Sequence, residues 1–169
     1  MILVEADVSE EWDSSTDWAL LADAAVRAAV AESGVPGLLD DGVEAEVSVK
    51  FTSDEEVRSL NAAWRGKDKA TNVLSFPMVE QEQLPVLTRS GAGEALLGDI
   101  VLAYGVCSSE AADKGVDMSG HAAHLVVHGT LHLLGFDHEL GDEEAETMEE
   151  AERRALAGLG IADPYEIRH

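Results

Sequence analysis

The sequence predicts an α+β fold in which helices pack against a small mixed β-sheet, and three observations lead there. Short β-rich runs and longer helical periods follow one another without the strict strand–helix alternation of a doubly wound fold. A chain of 169 residues, 46% of them hydrophobic, is long enough to bury one core and short for two, so residues 1–169 are read as a single domain. One predicted helix carries four of the six histidines and a fifth follows just beyond its end, which makes a zincin-like metal-binding helix the expected functional element.

Met1 to Asp7 alternates Ile2, Val4 and Ala6 with other residues, a weak strand signal. Ser14 and Ser15 then stand where a helix cap is expected, ahead of a helix from about Thr16 to Ser33 with Trp18, Leu21, Ala22, Ala25, Val26 and Ala29 on one face. Gly34, Pro36 and Gly37 end it. Val43 to Phe51 alternates as a strand, and Ser53 followed by Glu56 is a capping-box start for a helix through Leu60 to Trp64. The polar segment Arg65 to Ala70 reads as a loop, Thr71 to Phe76 as a strand stopped by Pro77, and Leu96 to Tyr104 as another strand. Between these two strands Val79 to Glu94 shows little periodicity and is expected to be an exposed loop or hairpin tip. Helices are expected from about Ser108 to Lys114, Ser119 to Leu134 and Gly141 to Leu159.

No stretch approaches the roughly 20 apolar residues of a membrane span, and the opening residues lack the blocks of a signal peptide, so a cytoplasmic protein is expected. Cys107, the single cysteine, is expected in or near the core, since it has no partner for a disulfide or a zinc ribbon. The net charge is -23, from 34 acidic and 11 basic residues. Such a surface repels polyanions and taken alone argues against nucleic acid. The charge is uneven, however. Arg58, Arg65, Lys67 and Lys69 cluster with Asp68 the only acid among them, whereas Glu139, Asp142, Glu143, Glu144, Glu146, Glu149, Glu150 and Glu152 form an acidic run, read as a solvated helix face.

At about 100° per residue, His121, His124, His128 and His132 fall within an arc of about 80° on one side of their helix. Leu125, Val126, Val127, Leu131, Leu133 and Leu134 occupy much of the rest, so the helix is buried and its histidines line one strip. His128 and His132, four residues apart, project from successive turns and can meet one ion. Gly135 supplies the left-handed residue that ends a helix, after which the reversed chain can return His138 to the same ion. Three nitrogen ligands leave a fourth tetrahedral position for water, as in a catalytic zinc site. His121 and His124 either border that site or serve a structural role, and His169 carries no signal.

The spacing His128, His132, Gly135, His138 coincides with the metzincin protease pattern, except that the glutamate position is Gly129. Glycine cannot transfer a proton, so a peptidase would need its base from elsewhere. Were the substrate a phosphodiester, Arg65 could donate to its nonbridging oxygens as a bidentate fork, and Lys67 and Lys69 to flanking phosphates. Asp99 and Asp137 are candidates to orient a ligand imidazole through its other ring nitrogen. Ser75 and Phe76 border the end of their strand, where a core role for Phe76 is preferred over base stacking.

Three segments in order, Asn61 to Pro77 with its Arg65-Gly-Lys67-Asp68-Lys69 loop, Leu97-Gly98-Asp99-Ile100, and His128-Gly-Thr-Leu-His132-Leu-Leu-Gly135-Phe-Asp137-His138, strongly resemble the bacterial YbeY endoribonuclease family. The similarity runs from about Val43 to an Asp163-Pro164-Tyr165 tail. The resemblance implies a metal-dependent, single-strand-specific endoribonuclease acting in ribosomal RNA maturation, notably at the 3′ end of 16S RNA, and in ribosome quality control. It implies one zinc ion, or another divalent metal, on His128, His132 and His138, and gives Arg65 the family's functionally important arginine. The implied partners are ribosomal or other single-stranded RNA and the small ribosomal subunit or its proteins, with no membrane. A metallopeptidase-like zinc hydrolase, or a ribosome-associated binding module with a non-catalytic metal site, are the competing readings.

Overall fold

A computed structural model of the chain describes residues 1–136 and 141–164. Its elements in order are β1 (Ile2–Val8), α1 (Trp18–Ala31), a short 3-10 helix (Pro36–Leu39), β2 (Val43–Thr52), α2 (Asp54–Arg65), β3 (Val73–Pro77), α3 (Gln83–Ser90), β4 (Gly93–Ala103), α4 (Tyr104–Lys114), α5 (Met118–Leu133) and α6 (Asp142–Gly158). The four described strands form one sheet in the order β1-β2-β4-β3. β1, β2 and β4 are mutually parallel and β3 closes one edge antiparallel to β4. The mixed α+β architecture expected from the sequence is the one observed.

The period of two along each strand assigns the faces. Val43, Ala45, Val47, Val49 and Phe51 of β2 are buried on one face, level with Ile2 and Val4 of β1 and Ile100 and Leu102 of β4. Helices α1, α5 and α6 cover that face, adding Trp18, Ala22, Val26, Val126, Leu131, Met148 and Leu156 to one core. The other face is covered over β3 and β4 by α2 and α4, where Val57, Leu74, Val101 and Ala103 form a smaller cluster with Phe76 packed against it. Phe76 is thus a packing residue, as preferred from the sequence. Cys107 is buried in the main core, where burial pushes its thiol up to about 12.

Local chemistry accounts for most element ends. Ser53 caps α2 by accepting from the Glu56 amide at 3.1 Å, although the Glu56 carboxylate turns to Thr52 and Lys50 and does not complete the box. Three expectations need correction. Helix α1 starts at Trp18 and is capped by Asp17, which accepts from Leu20 at 3.0 Å, while Ser15 is bonded to Asp13. Helix α4 starts at Tyr104, directly after β4, because Asp54 of α2 accepts from the Val106 amide at 3.1 Å and supplies the cap from outside the local sequence. The segment Val79 to Glu94 contains α3 and the start of β4. Pro85 lies in the first turn of α3, where its missing N–H breaks no helical bond, and Leu84 is the one buried residue there, too little to set a period.

β3 and α5 both close on β4 so tightly that glycine is needed at one of its residues. Leu97 is an extra residue in the ladder, since Glu46 faces Leu96 while Val47 faces Gly98. Gly98 has φ +144°, and a Cβ there would lie 2.3 Å from the Phe76 carbonyl oxygen and 2.8 Å from Leu133. Backbone strain and collision therefore add. Gly98→Ala is expected to lower unfolding free energy by about 2–4 kcal/mol, measured by urea denaturation; a loss under half a kcal/mol would contradict the close approach.

Candidate metal centre

Helix α5 presents its histidine strip to α6. Its other sides are buried, and at residue 129 the helix backbone lies on the sheet: a Cβ on Gly129 would be 3.0 Å from Ile100 Cγ2. A side chain at this position would enter the helix–sheet interface. A glutamate here, where peptidases place one beside the first histidine, would have to displace Ile100 and would point into the sheet, so the competing peptidase reading is disfavoured for a steric reason as well as a chemical one. The C-terminal end of α5 is as expected. Gly135 has φ +101°, its amide donates to the His132 carbonyl at 3.1 Å, and the Phe136 amide donates to Leu131 at 3.0 Å, together a Schellman closure.

The Nε2 atoms of His128 and His132 lie 3.1 Å apart, with ring planes at 78°. His128 Nδ1 contacts Glu152 Oε1 at 2.5 Å, and His124 Nε2 contacts the other oxygen of the same carboxylate at 3.1 Å. A carboxylate accepts, so His128 carries its proton on Nδ1 and turns the Nε2 lone pair toward His132. Two donors on a tetrahedral zinc at 2.0–2.1 Å lie about 3.3 Å apart. The pair therefore fits one shared divalent ion with a movement of a few tenths of an ångström. The carboxylate behind His128 is the support that a ligand imidazole commonly has. Two donors are thus placed; the third expected ligand, His138, lies outside the described residues, as does Asp137. Among the described residues no group of three His, Cys, Asp or Glu side chains is placed to hold a metal.

Glu152 corrects the reading of the acidic run as wholly solvated. Most of those acids on α6 are exposed or half-exposed, yet Glu152 is 0% exposed. Its signal was available: Met148, Ala151, Ala155 and Leu156 form the apolar stripe of α6, and Glu152 falls inside it. An acid in that stripe is a buried carboxylate looking for donors. Asp99, by contrast, pairs with Phe76 in the ladder and alternates away from Gly98 and Ile100, the β4 residues that meet α5. It stands on the face opposite the histidines and does not orient them.

A second histidine–carboxylate pair lies at the other end of the strip. His121 Nε2 contacts Glu110 Oε1 of α4 at 2.9 Å, and Asn72 Nδ2 donates to the same oxygen at 3.0 Å. Burial holds the His121 pKa below its ordinary 6.5, against the opposing pull of Glu110. For Glu110 burial acts upward, but the bonds from His121 and Asn72 outweigh it and hold the carboxyl below its ordinary 4.5.

The basic segment is a folded-back loop. Asn61 of α2 is buried and donates to the Lys69 carbonyl at 3.0 Å, while the Lys67 amide donates to the Asn61 carbonyl at 3.2 Å. Arg58 holds Asp68 by two bonds of 2.8 and 3.1 Å. That exposed pair offsets part of the charge of the one acid of the segment. Lys67 and Lys69 are exposed and form no ion pair with a described residue. Arg65 donates from Nη2 to the Ser75 carbonyl at 3.2 Å, using one of five N–H groups. Ser75 is the ladder partner of Ile100, on which Gly129 rests. Arg65 is thereby fastened to the edge strand beneath the histidine helix.

The sequence pattern of the family described as Endoribonuclease YbeY matches residues 7–160. The chain belongs to the YbeY endoribonuclease family. A protein from Rhizorhabdus wittichii named Endoribonuclease YbeY is 54% identical over 167 residues, covering 99% of this chain and 98% of that one. A protein of the same name from Zymomonas mobilis is 50% identical over 165 residues, covering 98% and 93%. The solution structure of a Thermotoga maritima protein aligns with TM-score 0.54 at 22% identity over 99% of this chain and 100% of that one, a likeness of fold. Family membership covers both the loop around Arg65 and the helix of His128 and His132. No helix among the described residues is long and apolar enough to cross a membrane.

The His121–Glu110 pair fixes a pH dependence. Both pKa values are depressed in the folded chain, so the unfolded chain binds more protons and stability falls as pH falls. The His121 contribution is lost below about 6.5, the ordinary histidine value, and the Glu110 contribution below 4.5. Between pH 7.5 and 5.5 the native chain is expected to lose more stability in urea titrations than His121→Gln; equal slopes would show that His121 titrates normally.

Proposed function

We propose that this chain is a divalent-metal-dependent endoribonuclease that cuts single-stranded RNA during ribosomal RNA maturation, notably at the 3′ end of 16S RNA, and in ribosome quality control. The observation that carries the reading is the His128–His132 pair, with Nε2 atoms 3.1 Å apart and Glu152 behind His128. Family membership supports the ribonuclease class, and the steric closure of position 129 weakens the peptidase alternative. His128 and His132, joined by His138, hold the ion, zinc by preference with other divalent metals compatible. A divalent ion bound there supplies Lewis acidity toward a phosphodiester and its attacking oxygen.

The chain's own groups do the rest. Glu152 fixes the His128 tautomer and ring plane, so the Nε2 lone pair is oriented before any ligand arrives. Arg65, held at one N–H by the Ser75 carbonyl, keeps further N–H donors for the nonbridging oxygens of the scissile phosphate, where charge grows. Lys67 and Lys69 bind flanking phosphates and carry no sequence information. The proposed setting is the cytoplasm, with the small ribosomal subunit or its proteins as partners. A chain of net charge -23 gains little general affinity for RNA, which makes delivery by such a partner part of the proposal.

Protein as purified is expected to contain close to one equivalent of divalent metal per chain, read by mass spectrometry of the metal, and to cleave single-stranded RNA. Chelation, His128→Ala and Arg65→Ala are each expected to abolish cleavage. Cleavage that persists in His128→Ala would assign the activity to a contaminant and sink the proposal. Glu152→Gln is expected to weaken metal binding or activity by about 10–100-fold. Lys67→Ala and Lys69→Ala are each expected to reduce the slope of log affinity against log salt by about 0.7; an unchanged slope would remove that lysine from the phosphate path.

A further inference from the structure

The three tryptophans of the chain have two fates. Trp12 and Trp18 are buried and meet each other and Phe51 with ring centroids 5.0–5.5 Å apart. Trp64 is 73% exposed, the most exposed of the large hydrophobic side chains described. It lies seven residues after Val57, about 20° away on the helical wheel, and so on the stripe of α2 that packs against the sheet. Val57 has that cover and Trp64 does not. Leaving an indole in water forgoes the burial that stabilises the other two.

Its neighbours give the indole a chemistry. Arg65 follows it, anchored on the Ser75 carbonyl, and the loop beyond carries Lys67 and Lys69 with no ion pair to a described residue, while Asp68 is paired with Arg58. A flat aromatic surface beside donors for successive phosphates is the combination that holds a single nucleic-acid strand, because every base has a π-face and every nucleotide a phosphate. A double helix keeps its bases stacked on one another and offers no free face to an exposed indole.

We propose that Trp64 is the base-stacking platform of the substrate site, holding one unpaired base of an RNA strand whose phosphates lie along Arg65, Lys67 and Lys69. This rests on the ribonuclease reading and adds to it a residue that selects unpaired RNA. The role is one of binding and positioning; no bond is made or broken by the indole.

The test uses the full chain and two single strands of equal length, an oligoribonucleotide and an abasic strand with the same phosphates. Because Trp12 and Trp18 are buried, quenchable tryptophan fluorescence reports Trp64. The oligoribonucleotide is expected to quench it in a saturable way and the abasic strand to leave it unchanged. Trp64→Ala is expected to lose about five- to a hundred-fold in affinity for the oligoribonucleotide, to raise KM for cleavage with kcat nearly unchanged, and to leave abasic-strand binding as it was. Trp64→Phe is expected to recover most of the loss. Lys67→Ala is expected to weaken both strands equally. A Trp64→Ala variant that melts normally and retains affinity and KM within two-fold overturns the platform while cleavage by the native chain leaves the ribonuclease reading standing. Quenching that rises with protein concentration in the absence of RNA assigns the indole to self-association and likewise overturns the proposal. A native chain that neither binds nor cleaves single strands at low salt overturns both.

Discussion

The Glu152 carboxylate is the interaction on which the site depends. It is fully buried between α5 and α6, on a helix whose other acids mostly face solvent. A buried charge is tolerated where donors replace water, and both oxygens here are engaged, one by His128 and the other by His124. The arrangement links three properties that would otherwise be independent. It docks α6 in one register against α5, it sets the tautomer of His128, and it makes His124 a support for the carboxylate while the Nε2 of His128 faces that of His132. Truncating Glu152 takes this partner from both histidines, and truncating either histidine takes one donor from the buried carboxylate.

The second constraint is the distance between α5 and the sheet. Gly98 and Gly129 are where backbone of one element meets the other, with Leu133 and Ile100 as the counterparts. Close packing on that side fixes which arc of α5 is left for the histidines. It also decides chemistry, because the position following His128 is spent on packing. A helix set farther from the sheet could carry an acid there and act on peptide bonds; this one has to recruit its charged groups from elsewhere. The edge strand β3 offers the means, since Ser75 touches Ile100 in the ladder and Arg65 through its carbonyl.

Much of this was legible in the sequence. The helical spacing of His128 and His132, the left-handed Gly135, the strand pattern of Val43 to Phe51 and the Ser53 cap all rest on local periodicity or local stereochemistry, and the structure has them. What was not legible depends on partners remote in the chain. The start of α4 is capped by Asp54, α3 is held by one buried leucine, and the faces of the sheet that separate Asp99 from the histidines follow from register. Glu152 is the instructive miss. Its place in the apolar stripe of α6 is visible in the sequence, but it stands in a run of acids whose composition points to solvent. Trp64 gives no such signal, since it shares the helical phase of the buried Val57 and its exposure is visible only in the structure.

The charge of the chain bears on what the proposed site can select. At physiological ionic strength the Debye length is about 8 Å, so the many acids on α6 and elsewhere act on RNA weakly at a distance and strongly on close approach. On the proposed function, attraction rests on the few groups around Arg65, Lys67 and Lys69. A duplex carries more charge per unit length and releases more counterions per phosphate contact than a single strand, with salt slopes of about 0.9 against 0.7 per charge. Those gains come only from basic groups that reach its phosphates, and the chain has 11 basic against 34 acidic residues. A single strand can be held by a short basic track supplemented by contacts that do not depend on charge. On the proposed function, preference for unpaired RNA therefore follows from how little basic surface there is, and it requires no steric gate against the double helix.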